Sequence, residues 1–243
     1  MLESKIKHQL LKDIAEVTGT VKDEVKFSFD EDGLTIRAVD PSHIAMIEMN
    51  IPKEEFVELK FSENTSYGVD LKKLKETLKM GKGDEIVEMS LSDENNKLLI
   101  KFGSIKRVLP LIDENVLTDT KTPSLKYNSV VSVKSKVVLE GIKAAGLVSR
   151  HATLSINPEG MDIIASEEID QISYNIVKDA IQKISCDEKM ESTYSLDYLG
   201  KMMHVVPSEN LSISLNNDYP LTMEFTIGNE GKVKYLLAPK VRE

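Results

Sequence analysis

A chain of 243 residues with 41% hydrophobic and 29% charged content has the composition of an ordinary globular protein, long enough for one large domain or two small ones. No apolar run approaches the roughly 18 residues of a membrane span, and Lys5, Lys7 and His8 interrupt the first residues, which excludes a signal peptide and leads to an expectation of the cytoplasm or nucleus. One cysteine, Cys186, and four histidines without cysteine partners exclude disulfide and zinc scaffolds, while 31 basic against 40 acidic residues, net −9, argue against a surface that grips nucleic acid everywhere.

In chain order, Ile6, Leu10, Ile14 and Val17 recur at helical spacing and predict a first helix within 5–18. Ala45, Ile47 and Met49 alternate as a strand. Leu71, Leu74 and Leu78 predict a second helix within 70–82, stopped by the Gly81-Lys82-Gly83 turn. Val87/Met89/Leu91 and Leu98/Ile100/Phe102 are half-buried strands, followed by an edge strand at Ser104–Leu109. Asp113–Lys126 reads as an exposed, extended connector. Val138, Ile142 and Ala145 predict a third helix within 134–150, and Leu196, Leu199, Met203 and Val206 a fourth within 195–206. Strands are expected at Ile172/Tyr174/Ile176, at an edge over Val177–Ser185, at Leu211/Ile213/Leu215 and at Leu221/Met223/Phe225/Ile227.

This order occurs twice. Asp32-Gly33-Leu34-Thr35-Ile36-Arg37-Ala38 returns as Glu159-Gly160-Met161-Asp162-Ile163-Ile164-Ala165 at an offset of 127, and Tyr67-Gly68-Val69-Asp70 falls on Tyr194-Ser195-Leu196-Asp197 at the same offset. Leu91 before its Asp-Glu-Asn-Asn turn matches Leu215 before Asn-Asn-Asp at an offset of 124, as if three residues were lost after the fourth helix. The expected division is 1–115, a connector at 116–127, and 128–243, each half an α+β domain with two helices covering antiparallel sheets.

Charge is unevenly placed. The four helix windows carry +1, +3, +3 and 0, so +7 of a chain whose net charge is −9, leaving −16 elsewhere. Lys72, Lys75, Lys79 and Lys82 form a stripe beside Leu71, Leu74 and Leu78, which suits either a solvated helix face or a polyanion held in one place only. No phosphate loop, nucleophile elbow, zinc helix or dinucleotide fingerprint is present. Glu54-Glu55 and Glu167-Glu168 point apart and read as solvated loop carboxylates; His43, His204 and Cys186 read as bystanders.

The run Gly33-Leu34-Thr35-Ile36-Arg37-Ala38-Val39-Asp40-Pro41-Ser42-His43-Ile44-Ala45 resembles the strand and D-x-S-H-[VI] signature of the proliferating cell nuclear antigen (PCNA) type of DNA polymerase sliding clamp. Leu109-Pro110-Leu111-Ile112-Asp113 and Lys234-Tyr235-Leu236-Leu237-Ala238-Pro239-Lys240 add to it, and the resemblance runs the full length. An end at Val241-Arg242-Glu243 without a longer acidic tail is similar to archaeal members.

The resemblance implies the DNA clamp (processivity) fold, assembled from three head-to-tail copies into a closed ring. Such a ring encircles duplex DNA without reading its sequence and tethers DNA polymerase, clamp loader, nuclease and ligase through short peptide motifs. It needs no catalysis, metal, cofactor or membrane, and it sits at the nucleoid in archaea or in the nucleus in eukaryotes. The implied DNA-facing positions are Lys12, Lys79 and Lys143, with Lys72, Lys75, Lys82, Lys136 and Lys201 near them; Glu76 and His204 stand where relatives carry lysine. The implied client pocket draws on Val39, Pro41, Ile44 and Met46, on Val116, Leu117, Pro123 and Leu125 of the connector, and on Pro220, Leu236, Ala238, Pro239 and Lys240. Thr120 and Thr122 replace apolar residues of relatives. Ile105, Arg107 and Leu109 are expected to meet Lys178, Ile181 and Ile184 of another copy. A subunit of a heterotrimeric or checkpoint ring, or a small duplicated α+β enzyme, are the other readings of the same residues.

Overall fold

The computed structural model describes residues 2–61, 65–92, 96–117 and 120–240. The first half runs β1 (Leu2–Lys7), α1 (His8–Thr18), β2 (Glu24–Asp30), β3 (Gly33–Val39), β4 (Ala45–Pro52), β5 (Phe56–Phe61), β6 (Thr65–Asp70), α2 (Leu71–Leu78), β7 (Ile86–Ser92), β8 (Lys97–Phe102) and β9 (Ile105–Pro110). The second repeats this as β10 (Ser129–Lys134), α3 (Ser135–Ala145), β11 (His151–Asn157), β12 (Gly160–Glu167), β13 (Asp170–Val177), β14 (Ile181–Cys186), β15 (Met190–Ser195), α4 (Leu196–His204), β16 (Asn210–Leu215), β17 (Leu221–Ile227) and β18 (Gly231–Leu237). Contacts group the chain into one unit of Met1–Pro41, Ile47–Thr122 and Thr226–Val233, and another of Ser42–Met46, Pro123–Phe225 and Lys234–Glu243. The turn expected at 93–95 and the chain end at 241–243 lie outside the described residues.

All four predicted helices exist, but each window overran its helix. Residues 2–7 are a strand because Leu2, Ser4 and Ile6 are buried while the residues between them face outward, a period of two. Ile6 therefore belongs to β1, between β5 and β7, and not to the first helix. Neither Lys7 nor Lys134 supplies a side-chain cap to the helix that follows. Backbone carbonyls do that work instead. The His8 amide donates to Glu85 O at 2.8 Å and the Leu71 amide to Asp23 O at 2.8 Å; in the second unit Ser135 donates to Glu209 O at 2.8 Å and Leu196 to Arg150 O at 2.9 Å. Within each unit, each helix is thus capped by the loop that follows its companion. At the other end α2 stops at Leu78, so Lys79 is its C-cap and Lys82 lies in the turn beyond.

In the first unit β5-β1-β7-β8-β9 form an antiparallel sheet, and β2 pairs with β3 and β6. Leu10, Leu11 and Ile14 of α1 and Leu71, Leu74 and Leu78 of α2 are buried between helices and sheet. Burial at this level contributes on the order of 1.5–3 kcal/mol per large side chain. In the second unit β14-β10-β16-β17 and β13-β12-β11-β15 are antiparallel, and α3 lies so near its sheet that a β-carbon on Gly141 would stand 2.6 Å from Ile163 Cδ1 and 2.8 Å from Tyr174 Cδ1.

Among the described residues six strands end a sheet: β5, β6, β9, β13, β14 and β15. Pairing of β1 with β5 shifts between Lys5 and Ile6, leaving Val57 as a bulge, and pairing of β10 with β14 shifts between Ser132 and Val133, leaving Gln182 as its counterpart. The edge of β6 is covered, since Ile112 N donates to Gly68 O at 3.0 Å. That of β15 receives Lys240, whose amide donates to Thr193 O at 2.7 Å. Only β9 and β13 keep an unbroken register with their neighbour and no cover among the described residues. The expected strand Val177–Ser185 is not continuous: a turn at Lys178–Ala180 divides it, so Lys178 lies in the turn and Ile181 and Ile184 belong to the bulged β14.

Candidate functional site

In the first unit α1 packs beside α2. Lys12 pairs with Glu16 at 3.9 Å, and Lys72 with Asp23 at 2.8 Å, a contact that raises the Lys72 ammonium above its ordinary pKa. Lys75 reaches back over the end of α1, where a β-carbon on Gly19 would stand 2.6 Å from its Nζ. Lys79 and Lys82 are exposed and make no ion pair among the described residues. In the second unit Lys136 and Lys143 on α3, and Lys201 and His204 on α4, are likewise exposed.

Within their observed ends the helices carry −1, +2, +1 and 0, net +2, well below the +7 of the windows. The remaining positive charge sits on strand ends and turns. Lys5 shows why it is a poor guide to a binding face: it belongs to β1 and pairs with Glu58 at 3.0 Å and Glu88 at 3.8 Å.

The residues expected around the connector fall into two groups. In the first unit the connector begins packed rather than extended. Ile112 bridges Gly68, Ser66 Oγ donates to the Glu114 carboxylate, and Leu117 is buried, while Val116 is exposed and Val39 half-buried beside the exposed Pro41. Leu117 is therefore an anchor of the connector. Thr118 and Asp119 lie outside the described residues.

In the second unit Ala238 N donates to Ile44 O at 2.8 Å, bringing two expected pocket residues together. Met46 and Leu236 are core, at 6% and 7% exposure, whereas Ile44 is 37% exposed and is the apolar side chain of this group open to a ligand. Pro220 is held from the connector side, since Tyr127 Oη donates to its carbonyl at 3.0 Å and stacks edge-on against Tyr219. Pro123 is exposed and Leu125 half-buried. Tyr127 and Thr193 were not anticipated: Tyr127 sits one residue past Lys126, and Thr193 contributes only its carbonyl.

On β9, Ile105 is half-buried and Leu109 is core, so only the backbone of Leu109 lies on the open edge. Arg107 reaches over α2 and donates to Thr77 Oγ1 at 2.8 Å and Lys73 O at 3.3 Å, with Glu76 3.9 Å away. Val108 and Val177, exposed on β9 and β13, were missed; their outward position in the alternation was the available signal.

Cys186 Sγ donates to Glu188 O at 2.7 Å, and burial raises its thiol pKa, so it is no poised nucleophile. Among the described residues no group of three His, Cys, Asp or Glu side chains is arranged to hold a metal, and no helix is long and apolar enough to cross a membrane.

Residues 1–111 match the model of the PCNA N-terminal domain, and residues 121–240 that of its C-terminal domain. The chain belongs to the PCNA family. Relatives named DNA polymerase sliding clamp include those of Picrophilus torridus, 31% identical, and Methanosarcina barkeri, 30% identical, each comparison covering 99% of both chains. A solved structure described as the C-terminal region of FEN-1 bound to A. fulgidus PCNA superposes with a TM-score of 0.93 at 28% identity, over 100% of both chains. The two-domain PCNA fold implied by the resemblance is the fold observed, and the sliding clamp is the function that goes with it.

Proposed function

We propose that three copies close head to tail into a ring around duplex DNA and tether polymerase, clamp loader, nuclease and ligase by short peptides, with no catalytic step of the ring's own. The carrying observation is the state of the sheet edges. Two are bulged and two are covered, while β9 and β13 are regular and open, and exposed regular edges invite pairing. The repeat supplies the template. At the offset of 127, β4 corresponds to β13, and β18 follows β17 as β9 follows β8. The residue after β18 already bonds the residue before β4, through Ala238 and Ile44. Pairing of β9 with β13 between copies repeats that joint, and the contact set shifts from Ile181 and Ile184 to Val108 and Val177. A heterologous contact whose rotation closes makes a ring. Lys79, Lys82, Lys136, Lys143 and Lys201 then meet phosphates without reading bases.

Light scattering on the eluting protein tests the assembly. The expected mass is about 82 kDa, three times 27.2 kDa. Val108→Asp and Val177→Asp, at positions 50% and 62% exposed in the single chain, should each give a folded monomer. A wild-type monomer at high concentration, with no paralogue able to complete it, overturns the reading.

A further inference from the structure

We propose that the client site continues past Ala238–Lys240 into a second subsite, a groove of about 940 Å3 on the second unit, which takes the four or five residues upstream of a client's anchor motif. This rests on the proposed tethering of clients by short peptides at the pocket of Ile44 and Ala238–Lys240, and takes the extended part of the peptide to lie beside Ala238–Lys240 with its apolar anchors near Ile44.

The registers fix the path. Lys240 lies on the open side of β15 at Thr193, Thr193 is paired with Thr153 of β11, and Thr153 is paired with Ile164 of β12. All four residues line the groove. Thr153 and Thr193 bond each other at 2.8 Å, on the face of the sheet opposite Ile163, which packs on α3. Beyond them, Arg150 stands just before β11, while Glu167 and Glu168 stand at the end of β12. Three strand spacings of about 4.8 Å, with Glu167 lying three residues, about 10 Å, along β12 from Ile164, place the carboxylates roughly 17 Å from Lys240, a distance spanned by about five extended residues.

Charge then sets the order. Arg150, Lys240, Glu167 and Glu168 are all exposed and line one groove, yet none makes an ion pair among the described residues. By strand order Lys240 comes first, Arg150 before β11 lies two strands on, and the carboxylates at the end of β12 lie one strand farther. A client strand antiparallel to Ala238–Lys240 runs away from the groove toward Ile44, so its upstream residues cross the groove. The favoured extension carries an acidic residue close to the anchor motif, against Lys240 and Arg150, and a basic residue farther upstream, against Glu167 and Glu168.

Three fluorescent peptides decide it: a core Q-x-x-L-x-x-F-F motif, the same motif preceded by Lys-Ser-Ser-Asp-Ser, and one preceded by Asp-Ser-Ser-Lys-Ser. On the wild type the first extension should tighten binding about 5-fold and the second should not, the range expected of exposed ion pairs. Arg150→Glu should remove the gain and leave the core peptide unchanged. Arg150→Glu combined with Glu167→Lys and Glu168→Lys should prefer the Asp-Ser-Ser-Lys-Ser extension. Equal affinity of core and extended peptides, indifference to the order of charges, or a gain that survives Arg150→Glu overturns the subsite. Ile44→Asp should weaken all three peptides; if the core peptide binds Ile44→Asp as it binds wild type, the client reading fails and the subsite with it.

Discussion

Tyr67 and Tyr194 occupy equivalent places in the two halves, 127 residues apart, and differ in one bond. Tyr194 Oη donates to Tyr219 O at 2.7 Å, while the hydroxyl of Tyr67, whose ring packs on Phe27 and Phe29, is buried without a partner among the described residues. Losing a made bond costs about 1 kcal/mol, whereas removing an unmet hydroxyl costs little or is favourable. Tyr194→Phe should therefore lower unfolding free energy by about 1 kcal/mol in urea, and Tyr67→Phe should not. Burial raises both phenols above the ordinary tyrosine value. A raised folded pKa means that this contribution is complete below pH about 10 and is lost as pH rises beyond it, when the unfolded chain ionises first. Tyr67→Phe should accordingly survive to higher pH than wild type in an alkaline titration followed by circular dichroism. The repeat of these tyrosines was legible in the sequence; the missing partner was not, because it depends on where a distant carbonyl falls. Glu55 makes the same point. Read beside Glu54 as a solvated carboxylate, it accepts the amides of Asn229 at 2.6 Å and Glu230 at 2.5 Å, partners that no local pattern reveals.

At the level of elements, two helical glycines have opposite surroundings. A β-carbon added at Gly200 in α4 would meet nothing within 4 Å, so Gly200→Ala should gain roughly 0.5–1 kcal/mol from helix propensity alone. Gly141→Ala would press on Ile163 and Tyr174 and should lose about 1–3 kcal/mol. Thermal melts of both variants check the pair; a stabilised Gly141→Ala would mean that α3 can shift away from its sheet. Helix existence was legible because the leucine and isoleucine spacing needs no tertiary information. The starts at Leu71, Ser135 and Leu196 fell within one residue of the windows, and at the first of them Asp70 supplies the expected side-chain cap to Lys73 N; the start at His8 was not legible, since its cap is the remote carbonyl of Glu85. The break at Lys178–Ala180 was hidden for a related reason. Val177, Ile181 and Ile184 read as one strand, and although Lys178-Asp179 interrupts them, only the tertiary pairing shows that β13 and β14 part there into different sheets.

For the whole molecule, the proposed ring would reconcile net charge and function by linkage rather than affinity. Reversing Lys79 and Lys143 to Glu should impair loading and sliding while ring mass and melting stay unchanged, because both side chains are exposed and make no ion pair among the described residues. A clamp loaded on circular DNA should resist a high-salt wash and leave once the circle is cut, while binding of free protein to linear duplex should be weak and fall with salt. Retention on cut DNA at high salt would contradict encirclement. The bulges at Val57 and Gln182 bear on this as much as the lysines do. With those two edges blunted and two more covered, each copy has a valence of two, and its two ends are unlike. Any open string of copies, whatever its length, finishes in one free β9 and one free β13, which can be satisfied only by each other. In the proposed three-copy ring, closed and open forms then differ by a single strand pairing that is the same at every junction, so a loader would need to recognise one kind of joint and could enter at any of the three.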